Sequence, residues 1–159
     1  MKKIVLVFVL LDQITKVIFT ARDFFIPIVS KNVSNGLFFE SGKSFGPFSI
    51  LPMENPGLSF GLSFSSVASL AIVIIVLIWL GIYFYVRRKI LSKLELLAFG
   101  FIFAGAISNL IDRLILGFVR DWISIGLGFS FNLADAAIFA GLILLLFSPR
   151  QTDSGKVSR

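Results

Sequence analysis

Four runs of apolar residues divide the 159-residue chain. The run at 64–86 contains no charged residue and, at about 1.5 Å per helical residue, is long enough to cross a bilayer. Shorter or more polar runs occupy about 4–20, 94–114 and 131–147. This pattern predicts four transmembrane helices.

The segment 21–63 between the first two runs has a different character. It contains four of the five prolines, and Asn35-Gly36 separates two short apolar stretches, which is a signal for a β-hairpin. We interpret 21–63 as a β-rich region outside the membrane and 115–130 as a short outer loop. The sequence therefore predicts an all-α membrane protein of one domain with a small extracytoplasmic β-rich cradle.

Composition and charge agree with this interpretation. The chain is 57% hydrophobic and 15% charged, which is more apolar surface than a soluble domain of this length can bury. The net charge of +6 is concentrated at the ends of the apolar runs, as the positive-inside rule describes. We therefore expect both termini in the cytoplasm and no nucleic-acid partner. The main basic clusters are Lys2 and Lys3, residues 87–93, and Arg150 to Arg159.

The chain lacks both cysteine and histidine. This excludes a Ser-His-Asp triad, a cysteine nucleophile and a histidine-based zinc site. We expect neither a metal nor a cofactor.

Several polar residues lie inside the apolar runs, where they are costly and commonly functional. Their positions along alternating spans place all of them in the outer half of the bilayer or just above it. Residues three or four apart share one helix face, and three such groups occur: Asp12, Thr15 and Lys16; Asn109, Asp112 and Arg113; Asn132 and Asp135.

Asp121 and Asp135 are the strongest candidates for chemistry. The fourth run contains no lysine or arginine to neutralise Asp135. Two carboxylates in a partly dry site cannot both ionise easily, so one keeps its proton while the other acts as a base. The pair predicts hydrolysis of a peptide bond, with neither role assigned to one residue.

Other interpretations stay open at this point. Polar residues can simply hold helices together, and ion pairs of Asp12 with Lys16 or Asp112 with Arg113 would serve structure.

A small proton-coupled transporter would use intramembrane carboxylates as relay groups. A Ser-Lys peptidase would need Ser59 or Ser63 near Lys16. A carboxylate metal site would combine Asp112, Asp121 and Asp135.

Five motifs, in order, resemble those of the lipoprotein signal peptidases, also called signal peptidase II. The resemblance covers residues 4 to about 147, and this chain has Ser108 where the family usually has glycine, and Arg120 and Trp122 where it usually has valine and phenylalanine. The motifs are Asp12-Gln13-Ile14-Thr15-Lys16, Asn55-Pro56-Gly57-Leu58-Ser59-Phe60-Gly61, Ser108-Asn109-Leu110-Ile111-Asp112-Arg113, Val119-Arg120-Asp121-Trp122 and Phe131-Asn132-Leu133-Ala134-Asp135.

The resemblance implies an aspartic peptidase of the bacterial inner membrane that acts at the outer face. Its substrates would be prolipoproteins, cleaved just before a cysteine that carries diacylglycerol. We expect a monomer in contact with membrane lipid. By the family pattern Asp121 and Asp135 are catalytic, and the residues that bind substrate or shape the site are Asp12, Lys16, Asn55, Gly57, Asn109, Asp112, Arg113 and Asn132.

Overall fold

The computed structural model describes residues 1–20, 44–45, 48–57, 66–125 and 129–148. The predicted turn at Asn35-Gly36 and the serines Ser59 and Ser63 lie outside the described residues. The described helices are α1 (Lys2–Thr20), α2 (Ser66–Arg87), α3 (Lys93–Leu116) and α4 (Leu133–Leu146).

The central helix α3 has a well-defined beginning and end. Ser92 accepts a hydrogen bond from the Glu95 amide, and the Glu95 carboxylate accepts one from the Ser92 amide, which is a capping box. Gly117 ends the helix with φ 84°, a conformation that glycine adopts at little cost. The chain thus turns sharply into the strand that follows.

A four-stranded antiparallel sheet, in the order β1-β2-β3-β4, accompanies the helices. In β2 and β3, Met53 is opposite Asp121 and Asn55 is opposite Val119. The prediction of a loop over 115–130 is wrong at 119–124, because these residues pair with β2, a strand distant in sequence. It is also wrong at residue 130, which pairs with the end of β3. The strands are β1 (Ser44–Phe45), β2 (Phe48–Asn55), β3 (Val119–Ser124) and β4 (Ser130–Phe131).

Helices α3 and α4 approach closely because small residues line their contact. A Cβ atom added at Gly105 would clash with the Ala134 carbonyl oxygen, and one at Gly141 would lie 2.7 Å from the Ala98 carbonyl oxygen. Larger side chains at either glycine would push the helices apart. This packing fixes the N-terminus of α4 against the C-terminal half of α3.

The helices expose apolar residues and bury charged ones. In α1 the buried residues are Asp12 and Lys16, whereas Leu10 is 51% and Val17 58% exposed. This is the reverse of a water-soluble protein and is what a lipid environment favours.

Among the described residues, two helices have the length and apolar composition of membrane spans, Val67–Arg87 within α2 and Lys93–Leu116. Helix α4 is apolar, but its 14 residues extend only about 21 Å. Helix α1 contains the buried charged residues Asp12 and Lys16. Two of the four predicted spans are therefore recognisable by composition alone.

Candidate active site

The predicted site residues meet where the β2-β3 pair lies against the C-terminal end of α3 and the N-terminal end of α4. Asp121 comes from β3, Asn55 from β2, and Asn109 from α3. Asn132 is the N-cap of α4, and Asp135 lies in the first turn of that helix. Four elements, β2, α3, β3 and α4, thus supply one cluster.

Asp121 is completely buried, and amide groups hold both of its oxygens. Asn132 donates from Nδ2 to Asp121 Oδ1 at 2.7 Å. Asn55 donates from Nδ2 to Asp121 Oδ2 at 3.0 Å. Ser130 Oγ lies 3.5 Å from the same oxygen. Such contacts fix the carboxyl plane and leave little freedom for the side chain.

Two asparagines link Asp121 to Asp135. Asn109 donates to Asp135 Oδ1 at 2.8 Å, and its own Oδ1 accepts from Asn132 Nδ2 at 3.2 Å. Asn132 also accepts, through Oδ1, a 2.9 Å bond from the Asp135 amide. The path Asp121–Asn132–Asn109–Asp135 therefore consists entirely of hydrogen bonds.

The electrostatic environment couples the two carboxylates. Burial, and after it the charge of Asp135, raise the pKa of Asp121 to about 6. The hydrogen bonds from Asn55 and Asn132 act in the opposite direction. Arg113 is close enough to attract both carboxylates. The pKa of Asp121 is thus closer to neutral pH than that of an ordinary aspartate, as is common for catalytic acids and bases.

Lys16 forms the centre of a second, fully buried group. Its Nζ lies 2.7 Å from Asp12 Oδ2 and 3.3 Å from Asp112 Oδ2, and it donates to Asn109 Oδ1 at 2.9 Å. Asn109 also donates to Asp135. Lys16 therefore orients the Asn109 side chain, which in turn orients Asp135. The predicted Asp12–Lys16 ion pair is confirmed.

Asp12 connects this group to the beginning of α4. Its Oδ1 accepts a 2.8 Å bond from the Ala134 amide, one of the helix-terminal N–H groups that lack a partner within the helix. Its Oδ2 accepts a 2.7 Å bond from Ser108 Oγ. A negative charge is favourable at this end of the helix dipole, so α1 holds the helix that carries Asp135.

Arg113 and Gly57 join the sheet to α3. Arg113 donates from Nη2 to the Gly57 carbonyl at 2.8 Å, and the Gly57 amide donates to Asn55 Oδ1 at 3.1 Å. Among the described residues, Arg113 Nε is buried and has no hydrogen-bond partner. All ten predicted site residues therefore belong to one hydrogen-bonded network.

One predicted pairing is wrong and three participants were missed. Asp112 pairs with Lys16 and Arg120, whereas Arg113 turns towards Gly57, since neighbours on a helix point in different directions. Gln13 and Ser108 also belong to the network. Gln13 lies in the first motif and could have been found there, whereas nothing in the sequence showed where the Arg120 side chain points.

The carboxylates do not form a metal cage in the described part of the chain, where no group of three histidine, cysteine, aspartate or glutamate side chains is placed to hold an ion. Both oxygens of Asp112 are bonded to nitrogen donors. The carboxylate metal site thus has no support from this geometry.

Comparison with solved structures first defines the class. Two matches are described as bacterial membrane enzymes solved by the in meso method, at 2.3 Å and 1.9 Å. Their TM-scores are 0.64 and 0.63, with 31% and 29% sequence identity over 90% of this chain and 82% and 87% of theirs. The chain therefore shares the fold of a membrane enzyme.

The family follows from sequence. The model for signal peptidase (SPase) II matches residues 4–149. The lipoprotein signal peptidase of Syntrophomonas wolfei is 36% identical over 141 residues, which are 89% of this chain and 86% of that protein. That of Dehalococcoides mccartyi is 32% identical over 156 residues, 94% and 89% respectively. The chain belongs to the signal peptidase II family and is a membrane-bound peptidase.

Proposed function

We propose that this protein is an intramembrane aspartic endopeptidase that removes the signal peptide from diacylglyceryl-modified prolipoproteins. Cleavage falls just before the lipid-modified cysteine. The observation that carries the proposal is the hydrogen-bonded path that joins Asp121 to Asp135 at one site. Family membership supplies the substrate class.

The mechanism follows from the paired carboxylates. The ionised member removes a proton from water, and the resulting hydroxide attacks the scissile carbonyl carbon. The protonated member gives its proton to the carbonyl oxygen. Collapse of the tetrahedral intermediate breaks the C–N bond, and the leaving nitrogen receives a proton from the pair. Because the two groups titrate together, either Asp121 or Asp135 fits either role.

Arg113 fits a role in holding substrate. Its Nε is a buried donor without a partner among the described residues, and an unsatisfied buried donor is costly unless a ligand binds it. A carbonyl oxygen of the extended substrate would satisfy it. The positive charge beside both carboxylates also favours the ionised form of the pair.

We assign four membrane spans to the protein. Helices α1 and α4 complete the bundle around the two apolar helices, with lipid-facing apolar side chains and buried charges. The basic clusters at the ends of the spans favour a cytoplasmic position for both termini. The carboxylates then lie near the outer face of the bacterial inner membrane, at the height where the substrate cysteine is anchored. The enzyme works as a monomer.

Lipid on the substrate has an energetic role. Each buried methylene contributes about 0.8 kcal/mol, so two acyl chains hold the peptide at the height of the site. Most unmodified peptides remain in water. We expect the lipid to affect kcat/KM as strongly as the peptide sequence does.

The direct test is incubation of the purified protein in detergent with a lipid-modified prolipoprotein and with the same protein lacking lipid. Mass spectrometry should find cleavage before the modified cysteine, and kcat/KM for the unmodified substrate should be at least about 100-fold lower. Equal kcat/KM values for the two substrates would refute the substrate class. The transporter alternative has no support from the comparisons.

A further inference from the structure

Arg120, the residue before Asp121, connects β3 to neighbouring elements through both its side chain and its backbone. Its Nη2 donates to Asp112 Oδ1 at 2.7 Å and its Nε to Asp112 Oδ2 at 3.3 Å. The same Nη2 lies 2.7 Å from Gln13 Oε1. The guanidinium therefore grips a carboxylate on α3 and an amide on α1 together.

The backbone of Arg120 strengthens this connection. Its amide donates to Asp112 Oδ2 at 3.0 Å, and its carbonyl accepts from Asn132 Nδ2 at 3.4 Å. Asn132 is the residue that holds Asp121 on the other side. The position of residue 120 is thus fixed by three elements, α1, α3 and the N-cap of α4.

The neighbouring residue Trp122 makes the second attachment of β3 to α1. Its ring stacks on Phe19 with centroids 4.3 Å apart. Side chains alternate along a strand, so Arg120 and Trp122 share one face of β3 and Asp121 faces the opposite side. The contacts of Arg120 and Trp122 therefore flank Asp121 along the strand, on the face opposite to the one that carries the Asp121 side chain.

We propose that Arg120 is a positioning residue of the active site. Its guanidinium binds both oxygens of Asp112 and contacts Gln13, and these bonds hold β3 in place. This inference rests on the proposed peptidase function and deepens it. Arg120 fixes the position of Asp121 through β3 and does not itself touch the substrate.

The chemistry of the fork dictates the test variants. A planar guanidinium binds both oxygens of a carboxylate, whereas a lysine ammonium is a point charge on a flexible stem. Arg120→Lys keeps the charge that neutralises buried Asp112 and so protects folding, but it loses the fork. Arg120→Met removes both. Arg88→Met is the control, because Arg88 is exposed and its guanidinium lies over the Tyr85 ring, outside the network of the site.

Steady-state kinetics should separate positioning from stability. Both Arg120 variants should lower kcat by about tenfold or more, as misplacement of a catalytic group does, with KM within about twofold of wild type. Arg88→Met should leave both constants unchanged. A folded Arg120→Lys or Arg120→Met protein with a wild-type kcat would overturn the inference.

Fluorescence gives a second readout that needs no catalysis. The chain has two tryptophans, so Trp79→Phe leaves Trp122 as the only indole, next to Phe19. In the Trp79→Phe background, Arg120→Lys should increase the quenching of Trp122 fluorescence by acrylamide, because β3 is held less firmly. Unchanged quenching would contradict the seating role. A wild-type protein that cuts no lipoprotein would remove the proposed function, while this measurement would still decide the seating of β3.

Discussion

Asn132 and Asp121 are joined by a 2.7 Å hydrogen bond, although one begins a helix and the other lies in a strand. Asn132 also accepts the Asp135 amide. A single side chain therefore orients one carboxylate and caps the helix that carries the other. Positioning of both candidate catalytic groups depends on this residue.

These two roles of Asn132 can be separated by substitution. Asn132→Ser should retain the cap, because serine accepts from the helix terminus as asparagine does, but it loses the amide that binds Asp121. We expect nearly wild-type thermal stability and a kcat at least about 100-fold lower. Asn132→Ala should lose both functions, with stability reduced by about 1 kcal/mol. Cleavage at the wild-type rate by Asn132→Ser would contradict the positioning role.

The pH dependence of cleavage should reflect the raised pKa of Asp121. Because burial and Asp135 raise that pKa to about 6, protonation of the pair should begin to remove the base as pH falls towards 6. We expect kcat/KM to decline below that value in a pH series measured at constant ionic strength. Activity that stays constant down to pH 4 would show an unperturbed carboxyl group instead.

The same shift predicts that Asp121 destabilises the fold above pH 6. A carboxyl group with a folded-state pKa above its ordinary value of 3.8 favours folding only while protonated, and this contribution is lost as pH rises through about 6. Asp121→Asn should therefore be more stable than wild type at pH 8, by about 1 to 3 kcal/mol.

Thermal unfolding in detergent checks this sign. The stability difference between Asp121→Asn and wild type should shrink as pH falls from 8 to 4, because the wild-type carboxyl group becomes neutral as well. A variant that is equally destabilised at both pH values would mean that lost hydrogen bonds, and not relief of a buried charge, determine its stability.

Much of the site was predictable from residue spacing. Asp12 and Lys16, four apart on one helix, form the ion pair that their spacing indicates. Asn109 and Asp112 likewise point into the same cluster. Polar groups inside apolar runs are few, and the predicted topology puts them at one height in the membrane. The helical spacing of these residues, and the high cost of burying polar groups in apolar runs, were therefore enough to predict most of the site.

The strands could not be predicted in the same way. Residues 119–124 pair with residues of β2 more than 60 positions earlier, and such pairing leaves no local periodic signal. For this reason Asp121 was expected in a loop, whereas it lies on the strand next to the one that carries Asn55. The direction of the Arg120 side chain depends on the same pairing and was equally hidden.

Burial of Lys16 between two carboxylates makes it a sensitive position. Lys16→Met would leave Asp12 and Asp112 without the cation they share, although Arg120 still binds Asp112. Breaking a buried ion pair by removing one partner costs about 3 to 5 kcal/mol. We expect a large fall in the melting temperature in detergent. Lys89→Met, at an exposed position, is the control and should melt like wild type.

A melting temperature for Lys16→Met that equals that of Lys89→Met would show that the buried pair contributes nothing net. The double variant Asp12→Asn with Lys16→Met should recover part of the loss, because it removes one uncompensated charge.

The central claim is that Asp121 and Asp135 perform the hydrolysis. It is tested most directly by single-turnover cleavage of a lipid-modified prolipoprotein with Asp121→Asn and Asp135→Asn, each purified at matched concentration and shown to unfold cooperatively. Neither variant should release a detectable signal peptide in the time that wild type needs to cleave all of the substrate. A rate within about tenfold of wild type in either folded variant would contradict the paired-aspartate mechanism.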